Sequence, residues 1–308
     1  MSSFVPRHSV VLLDASHVIV KFLWYWQKCG DSQGNEAKAT GIITQMFLKT
    51  VLDHVSLALP NGPSRESVVN NKLIVCFDHQ GGQRRQICPK YKSGRGGSLE
   101  ERIPIAKKII HSRVRPALEG LGVTVYPQSN KEYPPIEADD LMFTAVHALR
   151  KQADVQCIVV SQDKDMFQVF RHSPDGIALL RSSYKKTARQ WKSTWFLKSE
   201  DVLKSKESEG ISSHRFAEFQ ALVGDRSDNI SRILRAKPAR DLILKSKEGE
   251  VCQYLERDDQ KVCFEHNLRL TKLMEVPGVV ASCSYDTLPF VDLPSARNMM
   301  AMKSFYFM

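Results

Sequence analysis

The sequence predicts an α/β fold, a mainly parallel sheet flanked by helices, followed by a mostly helical C-terminal region. Three observations predict it. Short apolar runs rich in Val and Ile alternate with stretches of helical periodicity through residue 198. Three of those runs end in an aspartate, at Asp14, Asp78 and Asp163. Beyond residue 199 the strand signal fades and helical patterns remain.

The elements follow in order. Ser9–Leu13 reads as a buried strand ending at Asp14. Gly41–Leu59 places Ile42, Ile43, Met46, Phe47 and Val51 at helical spacing, and the Asn-Gly-Pro-Ser content of residues 60–67 marks a loop. Lys72–Phe77 is the next strand and ends at Asp78. A basic stretch with five glycines between residues 81 and 97 follows. Glu100–Leu121 is helical by period, with Pro104 and Pro116 as possible breaks. Val123–Tyr126 is a strand, Glu137–Lys151 a helix, and Cys157–Val160 a strand leading into Asp163 and Asp165. A short helix at Met166–Phe170 and a strand at Ile177–Leu180 complete the α/β part. Glu200–Lys206, Ser213–Val223 and Ala239–Leu244 read as helices, and Glu248–Lys261 as loop or solvated helix. The division is a catalytic α/β domain over 1–198 and a helical region over 199–308.

Composition narrows the class. The chain has 308 residues, 42% hydrophobic and 25% charged, which excludes a mainly disordered protein. No apolar run approaches ~18 residues, so no membrane association is expected. Asp14 interrupts the first apolar run at once, unlike a secretory signal. Seven cysteines without a CxxC pair read as free thiols in a reducing compartment, which places the chain in a cytoplasm.

The net charge of +10 is unevenly spread. Residues 84–115 carry net +8, residues 181–206 net +6 and residues 232–247 net +5, leaving an acidic remainder. Basic segments with interleaved aromatics (Tyr91, Tyr184, Trp191, Trp195, Phe196) suit a nucleic acid: cations release its counterions and rings stack on its bases. The alternative is a set of solvated surface helices with the tryptophans in the core.

The acids carry the chemistry. The C-terminal edge of an open α/β sheet is where ligands bind, and three aspartates fall there. Glu137, Asp139 and Asp140 open a helix. Glu137 and Asp140 can share a face while Asp139 points elsewhere. Asp163 and Asp165 bracket Lys164, and Asp225 and Asp228 lie in Gly-Asp-Arg-Ser-Asp-Asn at 224–229. Taken singly, these are also ordinary helix starts and turns. Two carboxylates ~5 Å apart repel by roughly 3 kcal/mol at an effective dielectric of ~20. If they converge they need cations, and an all-oxygen donor set suits Mg²⁺ or Mn²⁺. Two such ions would clamp the attacking water and the leaving oxygen of a phosphodiester.

The six segments Leu12–Ser16, Val75–Asp78, Tyr91–Arg95, Ile136–Asp140, Val160–Asp165 and Leu222–Ile230 together resemble the 5′ nucleases, the family of flap endonucleases and 5′→3′ exonucleases, including phage-type primer-removing members. They stand in family order over residues 9–245. The resemblance implies a PIN-like core with two divalent ions. Asp14, Asp78, Glu137 and Asp139 would surround the first, and Asp140, Asp163, Asp165, Asp225 and Asp228 the second. Lys92 would stabilise the scissile phosphate, assisted by Arg95. Tyr91 would stack on the terminal base, and residues 82–115 would form a basic helical arch over single-stranded 5′ ends. Arg84, Arg85, Lys90, Lys185, Lys186, Arg235, Lys237 and Arg240 are the expected nucleic-acid contacts.

The implied substrates are 5′ flaps, nicked or gapped duplexes and RNA–DNA hybrids in replication or repair, cut to leave a 5′-phosphate. The implied setting is a monomer in a bacterial nucleoid or, for a phage protein, the host cytoplasm. The chain departs from the family after Ile230: the helix–hairpin–helix region, here 213–247, lacks the glycines that can bind K⁺, so Arg235, Lys237 and Arg240 are expected to grip duplex electrostatically. The tail from Met299 to Tyr306 resembles a sliding-clamp peptide, and a single-strand-binding protein is a further candidate partner. Two other readings stay open, a PIN-like ribonuclease and a silent structure-specific binder. The basic arch and the 224–229 motif argue against the first, and the full set of acids against the second.

Overall fold

Alternating apolar residues on each central strand give the sheet two buried faces. The structure, a computed structural model, describes residues 8–28, 36–55, 69–79, 82–93, 102–128, 131–152, 154–171, 175–185, 190–279 and 283–304. Six strands are ordered β3-β2-β1-β4-β5-β6. They are β1 (His8–Asp14), β2 (Val69–Cys76), β3 (Thr124–Tyr126), β4 (Val155–Ser161), β5 (Ile177–Lys185) and β6 (Gln190–Phe196). All neighbours pair in parallel except β5 and β6.

On β1, Val10 and Leu12 face one core, and Val11 and Leu13 the other. Cys157 and Val159 on β4 follow the first, and Ile158 and Val160 the second. A fully parallel centre needs cover on both sides. The second face is covered by α1 (Ala15–Lys28), α2 (Glu36–Val55), α4 (Arg102–Ile109) and α5 (Arg115–Gly120). The first is covered by α6 (Ala138–Leu149), the 3-10 turn Lys164–Arg171 and the helices after residue 199. Those are α7 (Ser199–Leu203), α8 (Phe216–Val223), α9 (Ala236–Lys245) and α10 (Asp258–Thr271). The short α3 (Arg84–Ile87) follows β2.

Glu100–Leu121 is one bent helical run in its described part. α4 passes through a π turn, Ile110–Val114, into α5. Pro104 sits in the first turn of α4, where an N–H has no partner in any case. Pro116 follows the π turn, whose wider winding makes room for the ring.

Three elements depart from the sequence reading. Residues 15–28 form a helix that the sequence reading left unassigned, although Ala15, Val18, Phe22 and Leu23 are buried at helical spacing. Residues 190–196, which the sequence reading left unassigned, form β6 antiparallel to β5, and β5 runs on to Lys185 past the expected end at Leu180. The helix after Glu248 starts at Asp258 and runs to Thr271, burying Phe264, Asn267 and Leu270. The tail helix Leu293–Ser304 lays Ala296 and Met299 on the second core. No helix among the described residues is long and apolar enough to cross a membrane. The six cysteines described are free thiols.

Gly224 ends α8 at φ 68° and ψ 174°, a region open almost only to glycine. A Cβ there would lie 2.6 Å from the Ile230 carbonyl oxygen. Gly224→Ala is expected to cost roughly 2–3 kcal/mol, measured as a lower urea midpoint at constant m. An unchanged midpoint would show that this turn relaxes freely.

Candidate metal centre

The strand order reverses between β1 and β4, so their C-terminal ends frame an open crevice. Asp14 ends β1, and Asp163 follows β4. Ser161 ties them together: its hydroxyl donates to Asp14 Oδ2 at 3.1 Å and accepts the Asp163 N–H at 3.1 Å. The Ser16 N–H donates to Asp14 Oδ1 at 2.7 Å. Asp78, after β2, accepts the Ala138 N–H at 2.9 Å, which fixes the start of α6 against the sheet edge. Asp163 Oδ1 accepts the Asp165 N–H at 2.9 Å.

Burial and crowding act on these acids together. Burial, then the nearby Asp78 charge, pushes the Asp14 carboxyl up to about 7, against the hydrogen bonds from Ser16 and Ser161. Burial, then Asp163 and Asp14, holds Asp139 well above the usual carboxylate range. Burial, then Asp163, does the same for Asp165, and Asp228 adds to it. Each of these three carboxyls thus feels the charge of neighbouring acids: Asp78 and Asp163 act on Asp14, Asp163 and Asp14 on Asp139, and Asp163 and Asp228 on Asp165. Asp139 Oδ1 and Asp165 Oδ1 are buried without a hydrogen-bond partner.

Lys92, Lys164 and Arg84 pair with acids of the cluster. Lys92 Nζ donates to Glu137 Oε1 at 2.8 Å. Burial alone would lower its pKa, but Glu137 holds it above the usual lysine range, so it stays an ammonium. Lys164 Nζ lies 2.9 Å from Asp225 Oδ2. Burial would raise Asp225, but the Ser227 hydroxyl and Lys164 bring it below its ordinary value. Arg84 is 2% exposed and bridges Glu137 and Asp140.

Two turns lock together behind Lys92. Lys92 and Asn229 both adopt positive φ, 56° and 59°, a strained choice for residues with a Cβ. The Lys92 N–H donates to the Asp228 carbonyl at 3.1 Å. Asn229 Nδ2 donates to the Lys90 carbonyl at 2.7 Å and to Ser93 Oγ at 2.9 Å. Two cavities open on the site. One of about 430 Å³ is bordered by Asp78, Arg85, Lys92, Lys107, His111 and Glu137. One of about 370 Å³ is bordered by Asp14, Asp163, Asp165, Arg181, Asp225 and Asp228.

The structure corrects three assignments. Asp140 does not join the second acid group: Oδ1 accepts from Arg84 and the Met274 N–H, and Oδ2 accepts from Arg84. Its predicted shared face with Glu137 is real, but the shared partner is Arg84. Arg84 is no nucleic-acid contact, because it is buried and fully ion-paired. Tyr91, 3% exposed, packs with Ile230 and Leu270 and turns its hydroxyl to Glu137, so it offers no free ring to a base. Arg85, Lys90, Arg235, Lys237 and Arg240 are exposed. Arg95 and Lys186 lie outside the described residues, as does the Lys185 side chain.

Among the described residues, no three acid, His or Cys side chains already enclose a single point as an ion cage. Glu137 leans on Lys92 and Arg84, and Asp225 on Lys164. Still, the donors are all oxygen, two buried oxygens lack partners, and burial disfavours their charge. Such a set fits a hard divalent ion. Sequence reasoning missed Ser161 and gave Arg84 the wrong role: a serine ending a strand carries no signal, and an arginine in a basic run reads as surface.

The family model for the 5′-3′ exonuclease N-terminal, resolvase-like domain matches residues 9–201. A 5′-3′ exonuclease of Buchnera aphidicola is 25% identical over 231 residues, covering 74% of this chain and 66% of that protein. The thermostable DNA polymerase I of Thermus thermophilus is 24% identical over 227 residues, covering 74% of this chain and 22% of that protein. The chain thus spans just under two thirds of the first relative and about a fifth of the second. The bacteriophage T5 flap endonuclease, crystallised as a pseudo-enzyme–product complex with DNA and metal ions, superposes with a TM-score of 0.54 at 13% identity, covering 96% of this chain and 99% of that one. Another bacteriophage T5 structure, co-crystallised with metal ions, gives 0.53 at 15% identity over 96% and 97% of the chains. What these structures share with this chain is the fold.

A folded-state pKa raised above the unfolded value means that the native state holds extra protons between about pH 4 and 7. Stability of metal-free protein therefore falls as pH rises through that window. In EDTA, Asp14→Asn is expected to raise the melting temperature at pH 8 and to leave it nearly unchanged at pH 4. Equal effects at both pH values would contradict the crowding of Asp14.

Proposed function

We propose that this chain, which belongs to the 5′-3′ exonuclease N-terminal, resolvase-like domain family, is a divalent-metal-dependent 5′→3′ exonuclease and flap endonuclease. The observation that carries this reading is the pair of buried, unpartnered carboxylate oxygens on Asp139 and Asp165, set in an acid crevice beside an ammonium that stays charged. A site for a phosphodiester needs both features: acids to hold cations, and a fixed positive charge for the phosphate.

Asp14, Asp78, Glu137 and Asp139 would hold one Mg²⁺, and Asp163, Asp165, Asp225 and Asp228 a second, with Mn²⁺ as a substitute. When bound, the ions supply an acidified water and neutralise charge on the phosphodiester. The chain's own groups do the rest. Lys92, held at positive φ between Glu137 and Asp228, reaches the 430 Å³ cavity and donates to a non-bridging phosphate oxygen as charge builds there. Arg85, Lys107 and His111 line the same cavity and guide the 5′ strand. Water adds to phosphorus, the P–O3′ bond breaks, and the products carry a 5′-phosphate and a 3′-hydroxyl.

The α/β part, residues 1–198, performs this chemistry. The helical part, residues 199–308, grips duplex through exposed Arg235, Lys237 and Arg240 at α9. The substrates are 5′ flaps, nicked or gapped duplexes and RNA primers on DNA, and the protein acts inside the cell as a monomer. Residues 231–240, which lead into and begin α9, carry no glycine, so the reading includes no K⁺ site.

The direct test is a labelled 5′-flap substrate with Mg²⁺ or with EDTA. Cutting in Mg²⁺ alone is expected. Cutting of single-stranded RNA but not of the flap would favour a PIN-like ribonuclease, and binding without cutting a silent binder. Asp163→Ala is expected to bind the flap normally and to cut at least ~100-fold more slowly, and Lys92→Ala to lose ~10²–10³-fold in kcat; normal turnover in either removes that residue from the mechanism. Replacing Arg235, Lys237 and Arg240 together by Ala is expected to reduce the slope of log affinity against log salt by about 3. An unchanged slope would move the duplex grip elsewhere.

A further inference from the structure

Glu137 precedes the first turn of α6, in extended backbone, yet its carboxylate caps nothing there. It is held from several sides instead. Lys92 binds Oε1, Arg84 binds Oε2 at 2.7 Å, and the Tyr91 hydroxyl lies 3.4 Å from Oε2. Gly82, at φ 76°, lies so close that a Cβ there would come within 2.7 Å of Glu137 Cγ.

Arg84 is the unusual member of this set, because every one of its five N–H donors is used. Nε donates to the Leu270 carbonyl at 2.7 Å. Nη1 donates to Glu137 and to Asp140 Oδ2, the latter at 2.6 Å. Nη2 donates to Asp140 Oδ1 and to the Lys272 carbonyl, both at 2.9 Å. The guanidinium thus joins three stretches of chain: α3, the start of α6 and the C-terminal end of α10. The Leu270 carbonyl is one that a helix end leaves without an intrahelical donor, and a cation is favoured at that end of the dipole. α10 is itself fixed to the α/β core. Thr271 donates to the Ala217 carbonyl at 3.0 Å, and Gln168 donates to the Thr271 carbonyl at 2.9 Å.

We propose that Arg84 is a positioning residue: anchored on the C-terminal end of α10 and on Asp140, it aims the Glu137 carboxylate at Lys92 and the acid crevice. The C-terminal end of α10 then shapes the reactive site through two backbone carbonyls, without lending it a side chain. This rests on the nuclease reading for its consequence in turnover. A planar fork with five committed donors is a geometric device that a lysine cannot reproduce.

Removing Arg84 alone would strand two buried acids, so stability and positioning must be separated. In Arg84→Met/Asp140→Leu the buried pair is replaced by apolar groups, which is often neutral or stabilising, while Glu137 loses the Arg84 fork and keeps only Lys92 and the Tyr91 hydroxyl. The expected result is a melting temperature near wild type, a kcat about 10–100-fold lower at similar KM, and Mn²⁺ affinity, followed by electron paramagnetic resonance without substrate, weaker by about 10-fold or more. A double variant that recovers stability, kcat and Mn²⁺ affinity together would overturn the proposal, because Arg84 would then be structural only. Should that variant fail to fold, Arg84→Lys decides: weakened Mn²⁺ affinity and kcat at a preserved melting temperature support positioning, and wild-type values overturn it. A wild-type protein that binds Mn²⁺ but cuts no flap would remove the nuclease reading, while the Mn²⁺ comparison would still judge Arg84.

Discussion

Negative charge crowded out of reach of water is the constraint on which this molecule turns. Asp14, Asp139 and Asp165 are pushed toward their neutral forms by burial and by one another's fields. Leaving buried carboxylate oxygens without partners costs several kcal/mol, and at Asp139 and Asp165 the fold leaves two so. A protein that tolerates such a cost does so where a ligand recovers it. Arg84, Lys92 and Lys164 offset the margins of the cluster, not its centre.

The architecture serves that cluster. Parallel strands deliver Asp14 and Asp163 to the same edge, and the reversal of strand order between β1 and β4 opens the space between them. Asp14, Asp78 and Asp163 sit at or just past strand ends and Asp139 on the first turn of α6, which are rigid supports. Lys92 and Asn229 sit in two strained turns that brace each other. The C-terminal helices cover the first core and carry exposed cations on α9. Acid crevice and basic surface therefore lie on one continuous molecule, the arrangement suited to cutting a polyanion while holding it.

Much of this was legible in the sequence, for identifiable reasons. Val10–Leu13, Leu73–Cys76 and Cys157–Val160 are dense apolar runs, and the aspartate that ends each one marks the sheet edge. The turn at 224–229 announces itself through its Gly, Asp and Asn. The misread parts share a different cause. In α1 the helical period was obscured by clustered aromatics, and in β6 the polar run Lys192–Thr194 hid the strand. Arg84, Tyr91 and Asp140 were misplaced because their surroundings come from far along the chain: Leu270, Lys272 and Met274 contribute carbonyl or amide groups. No spacing rule relates residue 84 to residue 270. An arginine in a basic run looks solvated until the helix that buries it is known.

The account's central claim is that the acid crevice is a cation site. Crystals grown with Mn²⁺ and phased to reveal anomalous scattering test it most directly. The account predicts Mn²⁺ peaks in the crevice, within bonding distance of Asp139 and of Asp165. A map with fully loaded Mn²⁺ elsewhere on the protein, and none touching either of those carboxylates, would contradict it.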